Sequence, residues 1–461
     1  MAALQTLRTD GAILLLSLYE LGHAPHGVAM PAGFLERAGF RPRVLDLAID
    51  RLDDDAVRSA RLICLSVPMH TALRLGIAAL ARIRRINPDA AVCFYGMYAP
   101  LHADHLRSLG VDFAIGGETE EALVDVARSL DAGAPSSTDA GIDVVLDRLR
   151  FGPPARAQLP SPDRYSRLLV GDETRLGGYA ETTRGCLHRC RHCPVPAVYD
   201  GRLFAIDRDS VLADIDAQVA AGSQHITFGD PDFWCGPGHS MAIVRALAER
   251  HPTVTFDATI KVSHLLRYAD RLGELRKLGC AFIITAVESL RDDILERLDK
   301  GHTRADFERA LALCEEHGIT MRPTFLPFTP WTNLADMVEL ADFLYERELV
   351  DAVDPVQLTV RLLVPRGSLL LDRAEDRAAF GPLDAEALTH RWQHPDPRVD
   401  ALQRELAGIV EAAGSGTDRL SNRHVFDQLR AAIHRADGRP APAAYAAPQR
   451  PVPRMTEHWF C

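Results

Sequence analysis

Apolar residues along the first 130 positions fall into short runs separated by stretches of helical period. Residues 12–18, 43–47, 62–67, 91–95 and 113–115 are each rich in Val, Ile, Leu or Phe, and the spacing predicts a helix over 28–38. Continuous apolar strands alternating with amphipathic helices predict a parallel sheet covered on both faces. Five such strands make a small doubly wound α/β domain over 1–130. Its ligands are expected beyond the C-terminal strand ends, near residues 19–26, 68–70 and 116–118.

Residues 131–164 carry Gly, Ala, Pro, Ser and Asp in quantity and read as a linker. A second alternation begins at Gly178. Strand-like runs at 180–183, 225–228, 254–259, 280–287, 319–326 and 356–364 are separated by helices, with Gly222, Gly279 and Gly318 as terminators. Six βα units predict a partial, open (β/α)6 barrel over 165–371, with its chemistry at the C-terminal strand ends. Residues 372–461 read as a small helical extension, broken at HPDPRVD. Its Pro- and Ala-rich stretch over 438–453 is expected to be extended or disordered.

The bulk numbers narrow the function classes. At 461 residues, 47% hydrophobic and 25% charged, the chain is an ordinary globular one. A net charge of −11 argues against a nucleic-acid partner. No apolar run approaches the roughly 20 residues of a membrane span. The start, MAALQTLRTDGAILLL, lacks a convincing cleavage site and reads as no signal peptide. Nine cysteines, three of them within eight residues, do not form a secreted disulfide framework. A reduced, cytoplasmic setting is expected.

Those three cysteines carry the sharpest chemistry. RGCLHRCRHCP (184–194) places Cys186, Cys190 and Cys193 in a C-x3-C-x2-C arrangement on one loop after a strand. Three thiolates hold three irons of a [4Fe–4S] cube, whereas clusters devoted to electron transfer normally have four cysteines. The open iron is where a substrate can bind. The alternative is a structural zinc site completed by His188 or His192. A loop in front of a βα array favours the cluster.

With these motifs in order at the strand ends, residues 178–371 resemble the radical S-adenosylmethionine (SAM) superfamily. The resemblance implies that SAM chelates the open iron and is split reductively to release a carbon radical. TFGDPDF (227–233) stands where the family receives the SAM amino group, which assigns Gly229, Asp230 and Asp232 to that contact. An acid facing an ammonium makes a strong charge-assisted bond; an Asp-Pro turn is the plain alternative. In AVESLRDDILERLDKGHT (286–303), Glu288 and Ser289 fall where ribose or carboxylate contacts occur. Glu288 alternatively opens a helix. Thr259, Lys261, Arg322, Thr324 and Arg361 lie at or near later strand ends, and any cation among them can pair with the SAM carboxylate. His192 stands where the family more often has an aromatic residue, and its ring still suits a contact near adenine.

The α/β domain ahead of such a core, with RGCLHRCRHCPVPAVY itself, resembles the cobalamin-binding subgroup. The subgroup's usual Asp-x-His-x-x-Gly signature is absent; YELGHAPHG (19–27) offers His23 and His26 instead. Cobalamin with no lower ligand, another ligand, and none are all left open. Cys461, behind Trp459 and Phe460, is similar to the start of the tail in the so-called CUAEP/CCAEP-tail radical SAM proteins. A Cys-Cys or Cys-selenocysteine pair there leads to the expectation that the sequence is truncated at a selenocysteine codon, which sequencing downstream decides. A thiolate tail also suits arsenic, as in a related group; an exposed cysteine at a frayed end is the plain alternative. Cys64, Cys93, Cys280 and Cys314 read as core residues, and Cys235 as a neighbour of the site.

The expected activity is radical modification of a small molecule, with flavodoxin or ferredoxin as electron donor and methyl transfer foremost if cobalamin binds. Transfer of the 3-amino-3-carboxypropyl group of SAM to arsenic or another soft element competes with it. So does a non-catalytic iron–sulfur or zinc protein.

Overall fold

A computed structural model describes residues 6–133, 143–415, 421–440, 442–446 and 452–457. The N-terminal sheet contains β1 (Ile13–Ser17), β2 (Arg43–Asp46), β3 (Leu62–Ser66), β4 (Ala91–Tyr95), β5 (Phe113–Gly117) and β6 (Asp143–Val145). Its order is β2-β1-β3-β4-β5-β6, every pair parallel. Alternate residues bury on opposite faces: Leu14, Leu16, Ile63 and Leu65 in one core, Ile13, Leu15, Leu62 and Cys64 in the other. That two-sided burial is why these strands are unbroken apolar runs. The sixth strand corrects the reading of 131–164 as a plain linker. Three residues of it, Asp143–Val145, are too few to show a period, yet they extend the sheet.

The second sheet also differs in detail from expectation. β7 (Arg167–Val170) and β8 (Glu173–Ala180) form an antiparallel hairpin, whose turn holds Gly171 at φ +58°. The first barrel strand therefore starts earlier than the expected 180–183, because the polar opening of β8 hides it from an apolar-run reading. β9 (Thr183–Gly185) and β10 (Leu203–Ala205) pair antiparallel. β11 (His225–Phe228), β12 (Thr255–Thr259), β13 (Cys280–Glu288) and β14 (Thr320–Phe325) then join β8 in one parallel array. The expected strand over 356–364 is instead a 3-10 turn, Pro355–Thr359, followed by one parallel bridge from Phe328 to Arg361. Pro355 sets that turn, and the Gln357 side chain accepts the Phe325 N–H that a sixth strand would have taken. The curled half-barrel remains.

A short hairpin of β15 (Leu383–Asp384) and β16 (Thr389–His390) precedes helices Pro397–Ser415 and Asn422–Ala436. Val399, Leu402, Phe426 and Leu429 of those helices enter the barrel's own core. β17 (Arg454–Met455), directly after the stretch expected to be extended or disordered, pairs with β7. Among the described residues no helix is long and apolar enough to cross a membrane.

Candidate functional site

The cysteine loop is clamped at its base. The β9–β10 ladder closes where Gly185 faces Leu203, so residues 186–202 project as one loop at the C-terminal end of the barrel array. Directly after the third cysteine, helix Val195–Tyr199 packs with Tyr98 and Leu101 into a core of the N-terminal sheet. The loop is thereby held from both units. Cys186, Cys190 and Cys193 are free thiols. Burial first, then the neighbouring Cys190 and Cys186, pushes the Cys193 thiol up to about 12. Three thiols gathered on one loop suit a cation that takes them as thiolates, which an iron cluster does. The donor set fits the cluster. Neither imidazole offered for the zinc alternative turns to the thiols for its contact: His188 points to Asp232 and His192 to Glu288.

The GDPD segment divides its labour. Asp230 is buried and accepts bonds from Thr182 N–H (3.0 Å), Thr182 Oγ1 (2.6 Å) and Thr183 Oγ1 (2.6 Å). It ties the end of β11 to the strand that launches the cysteine loop. Burial raises its carboxyl to about 6, against the pull of those bonds. Asp232 Oδ1 accepts from Trp234 N–H, and its Oδ2 lies 2.7 Å from His264 Nδ1 and 3.5 Å from His188 Nε2. Burial opposes its ionisation, but the two imidazoles hold it down at about 2. Both carboxylates expected to meet the SAM ammonium therefore have protein partners. Gly229 is fixed by packing, since a Cβ there would sit 1.8 Å from Tyr179 Oη.

Glu288 ends β13 with φ +70°, a left-handed conformation at a register shift against β14. Its Oε1 receives His192 Nε2 and Lys300 Nζ, each at 3.1 Å. Burial works against the charge, yet Lys300 and His192 hold the carboxyl well below the usual range. The Lys300 ammonium, itself buried, feels Cys190 and Cys193, so a positive charge stands beside the thiols. Nothing in the sequence marks Lys300, which follows a helix in an ordinary-looking LDKGHT. Thr324 lies on β14 opposite Ala286, within the same strand-end row. Of the cations considered for the SAM carboxylate, Arg322 pairs with Asp354 at 2.9 Å and Arg361 with Asp400 at 2.6 Å. The charge of Lys261 reaches Cys186.

Cys235 and His264 complete what sequence reasoning leaves unassigned. Cys235 Sγ lies 3.8 Å from Cys186 Sγ, so its placement near the site holds. Cys64, Cys93, Cys280 and Cys314 are buried in the cores as expected. Cys461 lies outside the described residues.

The strand ends of the N-terminal sheet meet the barrel through buried charges. Arg184 binds Glu120 (2.7 Å) and Glu181 (2.8 Å), with Glu118 at 3.6 Å. Arg156 forks onto Asp214 and reaches His26 Nδ1 at 3.2 Å. His23 stacks on Tyr179 with centroids 3.6 Å apart. Both imidazoles of the 19–27 loop thus have protein contacts, while His26 Nε2 is buried without a hydrogen bond, 3.6 Å from Glu181 Oε2.

Comparison with known proteins places this geometry. Residues 180–344 match the family model described as the radical SAM superfamily. A Methanocaldococcus jannaschii protein provisionally named a methylthiotransferase is 22% identical over 74% of this chain and 76% of its own length. The bacteriochlorophyllide d C-12(1)-methyltransferase of Chlorobaculum tepidum is 27% identical over 52% of each. The radical SAM methyltransferase TsrM from Kitasatospora setae superposes with a TM-score of 0.63 at 20% identity, covering 80% of this chain and 77% of its own. The cobalamin-dependent radical SAM enzyme OxsB gives 0.66 at 14% identity, covering 92% and 71%. Residues 180–344 thus carry a radical SAM domain, behind an N-terminal sheet of the fold found in cobalamin-dependent radical SAM enzymes.

Proposed function

We propose that Cys186, Cys190 and Cys193 hold a [4Fe–4S] cluster at which SAM is cleaved reductively, and that the chain uses this to transfer a one-carbon group to a small molecule. The observation that carries the reading is the thiol loop at the strand ends with the Lys300–Glu288–His192 triad against it. When bound, the cluster supplies the electron for SAM cleavage and one open iron for SAM's amino and carboxylate groups. Lys300 offsets thiolate charge in a buried place where it is otherwise costly. Glu288 holds Lys300 and orients the His192 ring, and Lys261 supplies a cation for the SAM carboxylate. Asp230 positions the loop through Thr182 and Thr183 rather than touching SAM.

Methyl and methylthio transfer are the activities for which the relatives are named. Their range also includes tRNA modification, so tRNA belongs among the substrates tested beside small molecules. Flavodoxin or ferredoxin, in a reducing cytoplasm, is the electron source proposed.

The test is anaerobic reconstitution with iron and sulfide, reduction, addition of SAM with and without cobalamin, and mass spectrometry of the products. Deoxyadenosine or S-adenosylhomocysteine that vanishes in Cys186→Ala supports the reading. Methylthioadenosine instead turns it to aminocarboxypropyl transfer. Zinc in place of iron at the three cysteines, with no SAM turnover, overturns it.

A further inference from the structure

Four side chains from three separate segments converge beside the cysteine loop. They are His188 from the loop itself, Asp232 and Cys235 from the turn after β11, and His264 from the helix Val262–Arg267 after β12. One donor atom of each lies within 4.8 Å of all the others. We propose that they form a second, mononuclear metal site, for zinc, adjoining the cluster.

The donor chemistry comes first. Two imidazoles, a thiolate and a carboxylate are a set that zinc accepts in a tetrahedron. Zinc bonds of about 2.0–2.3 Å put tetrahedral donors about 3.3–3.7 Å apart, so the longer spans of the set close slightly and the His264–Asp232 contact opens. The distances from Asp232 Oδ2 to His264 Nδ1 (2.7 Å), His188 Nε2 (3.5 Å) and Cys235 Sγ (3.7 Å) are already of that order.

The partners each donor lacks come second. His264 is 8% exposed, and its Nδ1 has no aligned hydrogen bond although it lies 2.7 Å from Asp232 Oδ2; His188 Nε2, also buried, faces the same oxygen at 3.5 Å without an aligned hydrogen bond. Buried polar nitrogens are rarely left this way. Asp232 is already oriented as a ligand. Its Oδ1 accepts from the N–H groups of Trp234 (3.2 Å) and Lys261 (3.4 Å), which leaves Oδ2 toward the other three donors. Such anchoring of a ligand's second oxygen is what orients metal carboxylates.

A different use of Cys235 is as a fourth cluster ligand, given its 3.8 Å approach to Cys186. That use engages one of the four donors and leaves both imidazoles crowded on a single carboxylate oxygen, whereas a divalent ion engages all four. On coordination the Cys235 thiol ionises, its proton passing to solvent, and the metal–sulfur bond replaces the contact with Cys186. Four protein ligands close the coordination sphere, so the ion is structural. It staples the cysteine loop to the ends of β11 and β12, fixing the loop from the side that Asp230 does not reach.

Metal analysis of the full chain decides this without reference to turnover. The protein is reconstituted anaerobically with iron and sulfide, exposed to zinc(II), passed through a desalting column, and both metals are measured. One zinc per chain is expected beside undiminished iron. Cys235→Ser and His264→Ala each lose the zinc and keep the iron; Cys186→Ala loses iron and keeps zinc. Asp232→Asn, which preserves side-chain volume, repeats the test in case a larger change disturbs the loop. Cobalt(II) in place of zinc gives tetrahedral ligand-field bands with a thiolate charge-transfer band that Cys235→Ser abolishes. No zinc on the wild-type chain, zinc retained by both ligand variants, or iron lost from Cys235→Ser would each overturn the proposal.

Discussion

The C-terminal strand ends of the two sheets are built alike from parallel βα units, and both are buried, yet two carboxylates of each behave in opposite ways. At the N-terminal sheet, Glu20 and Glu118 lie where burial outweighs their partners, and their carboxyls rise to about 8 and about 7. At the barrel, Asp232 and Glu288 are as deeply placed, but imidazoles and an ammonium overcome burial and keep them ionised. The first region closes against the barrel through Arg184 and Arg156, guanidiniums matched to carboxylates. The second gathers thiols, imidazoles and lysines, a mixture with more donors than the protein itself uses. What separates a packed interface from a reactive site here is which cations and soft donors face the strand ends, since depth is common to both.

The largest expected effect is at the barrel. Cys186→Ala removes one of the three proposed cluster ligands and should abolish both bound iron and SAM cleavage, read by metal analysis and product assay; retained iron would break the contrast. Next comes the interface, where Arg184→Ala strands Glu118, Glu120 and Glu181 around one lost cation. A loss of about 3–5 kcal/mol in chemical denaturation is expected. A near-neutral result would mean that Arg184 contributes little to holding the two units together.

Gly229→Ala should cost about 1–3 kcal/mol or more by overpacking, because Tyr179 occupies the space of a Cβ. Trimming Tyr179 to Phe should recover part of that loss in the same assay. The smallest effect is a pH slope. Folded Glu20 holds a proton that the unfolded chain, with a value of 4.5, releases. Its stabilising contribution is complete below 4.5 and is lost as pH rises through about 8. Glu20→Gln should therefore flatten the fall in denaturation midpoint on the alkaline side. Glu288, with its lowered value, contributes in the reverse sense: its stabilisation is present above 4.5 and lost only as pH falls well below it.

Much of this is legible in the chain. The first five strands of the N-terminal sheet and four of the barrel strands can be read within a residue or two of their ends; in the N-terminal sheet burial on both faces writes apolar runs that are nearly unbroken. Strands β6, β7 and β17 escape such a reading: they are short or edge strands whose pairing depends on neighbours far away in sequence. The strand expected over 356–364 fails because its apolar residues serve a different cluster, with Leu362 and Val364 packing beside Trp392. Apolar content measures burial there and does not specify the shape.

The sequence by itself determined the alternation of two parallel sheets, the three-cysteine loop and its place ahead of the barrel. Each is local: a run, a spacing, an order along the chain. Only the tertiary structure decided which of two neighbouring aspartates ties the loop and which faces the imidazoles. The same holds for Lys300 standing against the thiols, and for His264 and Cys235 meeting His188 across three segments. Those outcomes are set by the stacking of strand ends from distant segments, where a buried charge settles on whatever partner the packing brings near. No spacing along the chain encodes that encounter.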